Sequence, residues 1–265
     1  MKSEQIKEIT EKATDQLVAA LQQGRSEALT GYLKAIGRFH RYSLHNVLLI
    51  ALQKPNASYV AGFRTWNHLG RFVKKGEKGI LILAPILRRK PDVLDDDEKD
   101  SSRIAGFRAA YVFDVSQTDG QELPQIGAVQ GNPHSHTDGL RKFATAQNVV
   151  IEYSEDIAPA RGTSYGGRIA LLPRQSPAEE FSTLVHELAH ELLHRGDRRE
   201  QTSRKVRETE AEATAFVVCH AIGLETGSAA ADYIQLWNGD KETLTDSLTY
   251  IQKAASQMLA ALTDS

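Results

Sequence analysis

The chain has 265 residues, of which 41% are hydrophobic and 25% are charged, and its formal net charge is −2. These values are those of a globular protein that is long enough for two modest domains. The single cysteine excludes an internal disulfide framework and suits a reducing cytoplasm. The first residues, MKSEQIKEIT, lack an apolar signal core, and no apolar run approaches the ~18 residues of a membrane span. We therefore expect a cytoplasmic protein without a membrane segment.

The charges are divided unevenly along the chain. Residues 30–90 hold 12 lysines and arginines against one acidic residue, Glu77, which gives a net charge of +11. Residues 126–265 hold 13 lysines and arginines against 19 acidic residues, which gives −6. A basic block beside an acidic half predicts that the two halves bind different partners.

The first third of the chain predicts three helices. Apolar residues recur at helical spacing over residues 4–23, with Gly24 as the stop, and a second helix covers residues 26–39. Ser43 is placed to cap a third helix, LHNVLLIALQ, which ends before Pro55. We interpret these helices as the framework of the first half.

The next segment, YVAGFRTWNHLGRFVKKGEKGILILAPILRRK, combines aromatic and basic side chains. It predicts a short helix, the turn KKGEKG and an apolar strand from Ile80 to Leu87. Lysine-rich turns suit the phosphates of a nucleic acid, and aromatic rings suit unpaired bases. The candidate DNA-binding residues are Arg64, Trp66, Arg71, Lys74, Lys75 and Lys78, with Tyr59, Phe63 and Phe72 as further stacking faces. The alternative is a solvated basic loop over a core tryptophan.

Two polar segments follow, an acidic loop at residues 91–103 and a linker at residues 118–135. Beyond them the pattern predicts a helix at residues 137–146 and a strand at residues 149–153. The stretch TSYGGRIALLP then predicts a turn and an edge strand. Zinc peptidases hold extended peptides against such an edge, and Tyr165 is placed either to stabilise an oxyanion or to fill the turn.

The segment FSTLVHELAHELLH contains the pattern H-E-x-x-H at His186, Glu187 and His190. Two histidines four residues apart share one face of a helix, so their imidazole nitrogens can bind one cation. Glu187 is placed to act as the general base toward water, as in zinc peptidases. The surrounding leucines make the helix amphipathic, and Ser176 predicts its start. This context favours a Zn²⁺ site over a chance occurrence of so short a pattern.

Zinc needs a third protein ligand, and a helix predicted at residues 204–220 offers three glutamates. Glu208 and Glu212 are four residues apart and share a face, whereas Glu210 points roughly the other way. One carboxylate would bind the metal, and another would hydrogen-bond a ligand histidine. His194 is a competing ligand, but three ligands in a row on one straight helix cannot surround an ion tetrahedrally.

The same segments resemble known families. HELAHELLH followed by RETEAEATAFVVCHAIGL is similar to the metallopeptidase domain of ArdC-like antirestriction proteins, and more distantly to the ImmA/IrrE metallopeptidases. In the gluzincins that these families resemble, the third ligand is the glutamate of the pattern E-x-x-A followed by an acidic or amide residue. Glu208, Ala211 and Glu212 match this pattern, so the resemblance implies Glu208 as zinc ligand and Glu212 as its supporting partner. A register that starts at Glu210 fits less well, because Thr214 replaces the acid or amide.

The first half carries a second resemblance. LHNVLLIALQ, TWNHLGRFVKKGEKG and YVFDVSQTDG are similar to the N-terminal single-stranded-DNA-binding domain of ArdC-like proteins, although the acidic stretch DVLDDDEKDSSR departs from the better-known members. The resemblance implies an α+β protein with a single-stranded-DNA-binding domain at about 1–125 and a zincin-like metallopeptidase domain at about 126–265. It also implies a protein of a plasmid or other mobile element that protects incoming DNA from restriction.

Three functions are therefore open. The first is a single-stranded-DNA-binding zinc metallopeptidase that acts on a protein or peptide. The second is a DNA-binding antirestriction protein whose zinc site is not proteolytic, and the third is a regulator that cleaves a repressor. The intact Glu187 argues against a purely structural zinc, since a structural site has no use for a general base.

Overall fold

The structure, a computed structural model, describes residues 3–23, 26–89, 102–121, 133–224 and 241–263. It divides into two compact units, and the prediction of a two-domain α+β protein is confirmed. Unit 1 contains residues 1–15 and 48–123, and unit 2 contains residues 16–47 and 124–265. The predicted domains, 1–125 and 126–265, differ from this division because residues 16–47 pack with the C-terminal half.

The first half of the chain alternates helices with short and long strands. Its elements are α1 (Ser3–Gln22), α2 (Ser26–Arg38), α3 (Leu44–Gln53), β1 (Val60–Gly62), α4 (Phe63–His68), β2 (Arg71–Val73), β3 (Ile80–Arg89), β4 (Ser102–Asp114), a 3-10 turn (Val115–Gln117) and β5 (Thr118–Gly120). The three predicted helices and the predicted apolar strand are confirmed, and the strand extends two residues further.

Unit 1 contains two antiparallel sheets. β4 lies between β1 and β3 in one sheet, and β2 pairs with β5 in the other. β3 and β4 form a long ribbon in which Ile80 pairs with Val112, both buried. Two predictions are wrong at their edges: residues 118–120 form a strand, not the start of a linker, and β4 begins at Ser102, inside the predicted acidic loop. Residues 90–101 and 122–132 lie outside the described part of the chain.

Trp66 belongs to the core of unit 1. Its side chain is 0% exposed, and its Nε1 donates a hydrogen bond of 2.9 Å to the backbone oxygen of Phe113. The ring of Tyr59 packs against it edge-on, with the two centroids 5.4 Å apart. The structure does not expose Trp66 for stacking on a DNA base, because α4 turns this side chain inward. The alternative of a core tryptophan is the one that the structure supports.

Asp114 fixes the end of β4. Its carboxylate accepts hydrogen bonds from the backbone amides of Ser58, at 2.8 Å, and Tyr59, at 3.2 Å. It also accepts from the amide of Ser116 and so caps the 3-10 turn. Burial raises the pKa of Asp114, but these hydrogen bonds outweigh burial and hold the pKa below its ordinary value. The ionised carboxylate thus joins the segment before β1 to the turn after β4.

The second half of the chain carries a small sheet and five further helices among its described residues. The elements are α5 (His134–Ala146), β6 (Val150–Tyr153), β7 (Gly162–Ser164), β8 (Arg168–Leu171), α6 (Pro177–Leu193), α7 (Asp197–Gln201), α8 (Arg204–Ala221) and α9 (Lys241–Thr263). α5 begins three residues before its predicted start. The sequence also predicts helices at about 228–237 and 240–262; the first lies outside the described residues, and the second is α9.

α8 is the central helix of unit 2. It packs against α6, α9 and α2, and its residues from Ala211 to Cys219 are almost all buried. α2 approaches α8 at Gly37, where a Cβ would lie 3.0 Å from the backbone oxygen of Val217. This packing explains why residues 16–47 belong to unit 2.

The sheet of unit 2 has the order β6-β8-β7, with β8 parallel to β6 and antiparallel to β7. The predicted edge strand is therefore corrected: β8 is central, and β6 and β7 are the two edges. No helix in the described ranges is both long enough and apolar enough to cross a membrane.

Candidate functional sites

The motif helix α6 begins with strong local signals. Ser176 Oγ accepts a hydrogen bond from the Glu179 amide at 3.4 Å, and the Glu179 carboxylate accepts one from the Ser176 amide at 3.2 Å. This reciprocal capping box satisfies two amides that a helix otherwise leaves without partners. Pro177 takes the first helical position, where no amide hydrogen is needed. The predicted start of the helix is confirmed.

His186, His190 and Glu208 lie together where α6 meets α8. The Nε2 atoms of the two histidines are 3.1 Å apart, and Glu208 Oε2 is 3.6 Å from each of them. Among the described residues this is the group of three whose ligand atoms all lie within 4.8 Å of one another. These three residues, the metal cluster, are the ones that the sequence nominated as ligands.

The three ligand atoms fit a small divalent cation. Tetrahedral Zn²⁺ with bonds of about 2.0–2.2 Å places its ligand atoms roughly 3.3–3.6 Å from one another. The separations of 3.1 and 3.6 Å are close to this range. The neighbouring His186 lowers the pKa of Glu208 to about 2, so its carboxylate is ionised. Two imidazoles and one carboxylate leave a fourth position for water or substrate.

His194 lies behind His190 and is fully buried. The Nδ1 atoms of the two rings are 3.0 Å apart, and His194 Nε2 is 2.9 Å from Glu210 Oε2. Because the ionised carboxylate can only accept, we infer that His194 carries its proton on Nε2, which makes its Nδ1 the acceptor for the Nδ1–H of His190. This arrangement leaves His190 Nε2 free to bind a cation.

Glu210 anchors this chain of hydrogen bonds. Its carboxylate is 0% exposed, accepts two bonds of 2.8 Å from Arg198 and accepts a third from Ser247 on α9. Burial raises the pKa of Glu210, but these partners outweigh burial and lower it below the ordinary value. The structure thus places His194 and Glu210 behind His190, whereas Glu212, which the resemblance implied as the supporting residue, is exposed on the cleft wall. Sequence reasoning missed this arrangement because Glu210 faces away from the metal cluster.

Glu187 is the buried neighbour of the metal cluster, with 7% exposure. Burial raises its pKa, and a hydrogen bond from the Ser164 backbone partly offsets the effect. A Cβ on Gly162 would lie 2.8 Å from Glu187 Cγ, so glycine is needed where β7 crosses this side chain. The edge strand therefore packs directly against the predicted general base.

Glu191 fastens the β7–β8 hairpin to the motif helix. Its buried carboxylate accepts hydrogen bonds from Ser164 Oγ at 2.5 Å, from the Gly166 amide at 2.8 Å and from the Gly167 amide at 2.7 Å. Arg195 pairs with the same carboxylate. Glu191 directly follows the second histidine of the motif, so the wall of the cleft is tied to the helix that carries the ligands.

Tyr165 lies on the outside of this hairpin. It is 51% exposed, and the guanidinium of Arg168 lies 4.4 Å from the centroid of its ring. It is not among the residues that line the cleft. The structure does not bring Tyr165 to the metal cluster, where the oxyanion role would require it.

The metal cluster opens into a cleft of about 890 Å³. The cleft is lined by β7 and the residues before it, by α6, and by α7 and α8. A cleft of several hundred Å³ has room for several residues of a peptide.

The lysine-rich turn lies on the surface of unit 1. Lys75, Lys78 and Arg64 are exposed, and none of them forms an ion pair with the described residues. Lys74 is more engaged, with its Nζ 3.2 Å from the Ser116 oxygen and 3.4 Å from Asp119. The turn thus presents at least two unneutralised ammonium groups.

Arg71 is held by β5. Its guanidinium donates to Thr118 Oγ1 at 2.8 Å, to the Thr118 backbone oxygen at 3.0 Å and to the backbone oxygen of Gln121. These bonds join β2 to β5. Arg71 therefore has fewer free donors for a phosphate than the other predicted basic residues.

β4 presents exposed aromatic rings, one of which, Tyr111, lies beside Gly79 at the end of this turn. Phe107 and Tyr111 are 51% and 60% exposed, and alternate residues of a strand share one face. Phe63 is 53% exposed and packs edge-on against Phe113, with centroids 6.5 Å apart, and Phe72 is 62% exposed. Sequence reasoning nominated Phe63 and Phe72 but missed the two rings on β4, although their spacing of four residues, which puts both on one face of a strand, is visible in FRAAYVF.

Comparisons with known proteins match both halves of the chain. Residues 7–113 match the family of the N-terminal domain of anti-restriction factor ArdC, and residues 148–231 match the family of the IrrE N-terminal-like domain. An alignment of 303 residues with an uncharacterised protein of Bacillus anthracis shows 26% identity. The alignment covers 97% of this chain and 51% of that protein. The chain thus spans about half the length of this curated relative.

Crystal structures of the antirestriction ArdC protein from plasmid R388 have the same fold. The metal-free structure is 23% identical with a TM-score of 0.55, over 96% of this chain and 98% of that one. The Mn(II)-bound structure is 22% identical with a TM-score of 0.55, over 96% and 97%. The resemblance drawn from the motifs is confirmed: the chain joins a region that matches the ArdC N-terminal domain family to a region that matches the IrrE N-terminal-like domain family, and its fold is that of ArdC.

Proposed function

We propose that this protein is a single-stranded-DNA-binding, metal-dependent peptidase of a mobile element, which acts in the cytoplasm and protects incoming DNA from restriction. The observation that carries the hydrolytic part is the triangle of His186, His190 and Glu208 beside the buried Glu187, in an open cleft. The IrrE-like family match and the Mn(II)-bound relative support a divalent ion here. Zn²⁺ is our choice of ion, because this donor set with one open position is typical of catalytic zinc.

The residues around the cleft have separate roles in this proposal. When bound, the ion would supply a Lewis acid that polarises the scissile carbonyl and acidifies water. Glu187 accepts the proton of the attacking water and passes it to the leaving amine. β7 offers its free edge to an extended peptide, and Gly162 allows that edge to approach Glu187.

A cleavage assay with the full-length protein tests the peptidase proposal. We expect the metal-loaded protein to cleave members of a quenched fluorescent peptide library, and a chelator to stop the reaction. Glu187→Gln should keep the metal and lose about 100-fold or more in rate, because a positioned general base contributes about 10²–10⁴-fold. Full activity in Glu187→Gln would exclude the proposed base. A metal-bound protein that cleaves nothing supports the non-proteolytic alternative, and cleavage confined to one host repressor supports the regulator.

The DNA-binding part of the proposal rests on the surface of unit 1. Lys75 and Lys78 supply positive charge for phosphates, and Tyr111, Phe107 and Phe63 supply exposed rings for unpaired bases. Duplex DNA keeps its bases stacked inside, so exposed rings favour a single strand. The match to the ArdC N-terminal family supports the same assignment.

Salt-dependent binding of a fluorescent oligothymidylate by the full-length protein tests this surface. Lys75→Glu with Lys78→Glu should weaken binding. The slope of log K against log salt should become less negative by about 1.4, since each of two lost phosphate contacts contributes about −0.7. Tyr111→Ala should cost about 1–3 kcal/mol of binding free energy. Tyr165→Ala, which removes a comparably exposed tyrosine from unit 2, is the control. A preference for duplex DNA would contradict the proposal.

A further inference from the structure

Several charged side chains line the cleft without belonging to the metal cluster. Three of them, Arg199 on α7, Arg204 at the start of α8 and Glu212 further along α8, are exposed and make no hydrogen bond or ion pair with the described residues. Arg161 is also exposed, but it pairs with Glu179 at 2.9 Å. Arg207 is different, because its guanidinium donates to the backbone oxygens of Arg199 and Thr202. The charges of the first three side chains are therefore available to a ligand.

These charges are ordered along α8. Arg204, Glu208 and Glu212 are spaced by four residues, so they follow one another on one helix face at intervals of roughly 6 Å. A positive charge thus lies on one side of the metal-binding carboxylate and a negative charge on the other.

The order of the elements agrees with this arrangement. α7, which carries Arg199, follows the C-terminal end of α6, and Arg204 comes next at the start of α8. The two arginines thus belong to the elements that follow the His190 end of the motif helix.

The placement of Arg204 is not explained by the helix that carries it. The first turn of α8 contains basic residues and no acidic residue. Basic side chains at this end oppose the helix dipole, so they cost stability. Because these basic residues lower the stability of α8 and Arg204 lies on the wall of a cleft, we interpret Arg204 as a residue kept for function.

We propose that the cleft selects peptide segments with an acidic side chain on one side of the scissile bond and a basic side chain on the other. Arg199 and Arg204 bind the carboxylate of the substrate, and Glu212 binds its ammonium or guanidinium group. This selectivity rests on the proposed peptidase function and names its substrate class. A polyanion such as DNA fits less well, because Glu212 would repel it.

The test measures recognition separately from cleavage, with the full-length, metal-loaded Glu187→Gln protein. The probes are two fluorescent peptides of identical composition, amidated at the C-terminus, in which aspartates precede or follow a central apolar segment and lysines occupy the other side. One order should bind about 10-fold more tightly than the other, since two charge-assisted contacts form in only one of them. Identical composition removes any effect of net charge.

A charge-reversed variant identifies the residues responsible. Arg199→Glu, Arg204→Glu and Glu212→Arg together should make the opposite order the tighter ligand, with metal binding intact. Glu200→Arg with Lys205→Glu, which reverses exposed charges that do not line the cleft, is the matched control and should keep the original preference.

Three outcomes would overturn the proposal. The first is equal binding of the two peptides by the unchanged protein. The second is an order preference that the charge-reversed variant retains. The third is a charge-reversed variant that no longer binds oligothymidylate but binds both peptides as before. The last result would assign the arginines to nucleic acid. If the order preference holds but the wild-type protein cleaves neither peptide nor any other substrate, the recognition stands and the peptidase function fails alone.

Discussion

Replacement of His190 by alanine is expected to abolish metal binding by the full-length protein, whereas replacement of His194 should weaken it about 10–100-fold. His190 supplies one of the three ligand atoms of the cluster, and two remaining ligands cannot hold Zn²⁺ tightly. His194 acts through its contact with His190 Nδ1, and partners of this kind orient a ligand without binding the ion. Competition with a chromophoric chelator at fixed pH measures both effects.

Two carboxamide variants extend this experiment to the supporting carboxylate. Glu210→Gln removes the charge that holds His194 and should lower metal affinity, whereas Glu212→Gln should leave it nearly unchanged. His68→Ala, which removes an exposed histidine from α4, is the control. Full zinc stoichiometry in His190→Ala would exclude the proposed site. An affinity that depends on Glu212 and ignores Glu210 would return the supporting role to Glu212.

Replacement of Trp66 by alanine is expected to lower the free energy of unfolding of unit 1 by about 3–5 kcal/mol, which is typical of a large buried aromatic residue. The change removes a fully buried indole and its hydrogen bond to the Phe113 oxygen. Phe72→Ala removes a ring that is 62% exposed and should change the free energy by about 0.5 kcal/mol or less. Amide hydrogen exchange resolved along the chain measures the loss, because it reports β1 and β4 separately from α8.

The same Trp66 variant decides between packing and DNA recognition. Loss of protection from exchange in β1 and β4 is expected even without DNA. A Trp66→Ala protein with full protection but weaker binding of oligothymidylate would show that the indole contacts DNA and that its buried position is not maintained in solution.

The motif helix could be predicted from the sequence because its determinants are local. Capping by Ser176 and Glu179 involves neighbours in the chain, and the spacing of His186 and His190 fixes their common face. The support of His190 could not be predicted, because His194, Glu210 and Ser247 come from α6, α8 and α9. Only packing of the three helices shows that a glutamate on the face opposite the cleft reaches a histidine beyond the motif.

The aromatic residues of the first half show a second limit of sequence reasoning. Trp66 lies between polar neighbours and Tyr111 between apolar ones, yet Trp66 is 0% and Tyr111 60% exposed. Which face of α4 and of β4 is covered depends on strand pairing distant in the chain, since β1 pairs with β4 across about fifty residues of sequence. Composition identifies a set of candidate stacking residues, and burial decides among them.

Residues 16–47 lie in the first predicted domain but pack within unit 2, for a related reason. The amphipathic pattern of α2 shows that one of its faces is buried, but it does not show against which element. The close approach of Gly37 to Val217 is a contact between residues far apart in sequence. The family match at residues 7–113 accordingly extends across both structural units.

The shortness of β7 has a consequence for the physical state of any substrate. The strand has three residues, Gly162–Ser164, and Glu191 holds it to the helix that carries the metal ligands. An edge of this length pairs with only a few residues of extended backbone. A folded protein would have to offer a loop, a frayed terminus or a locally unfolded segment to be cut. Local unfolding free energy would then set the rate at which different proteins are cleaved, in addition to their sequences.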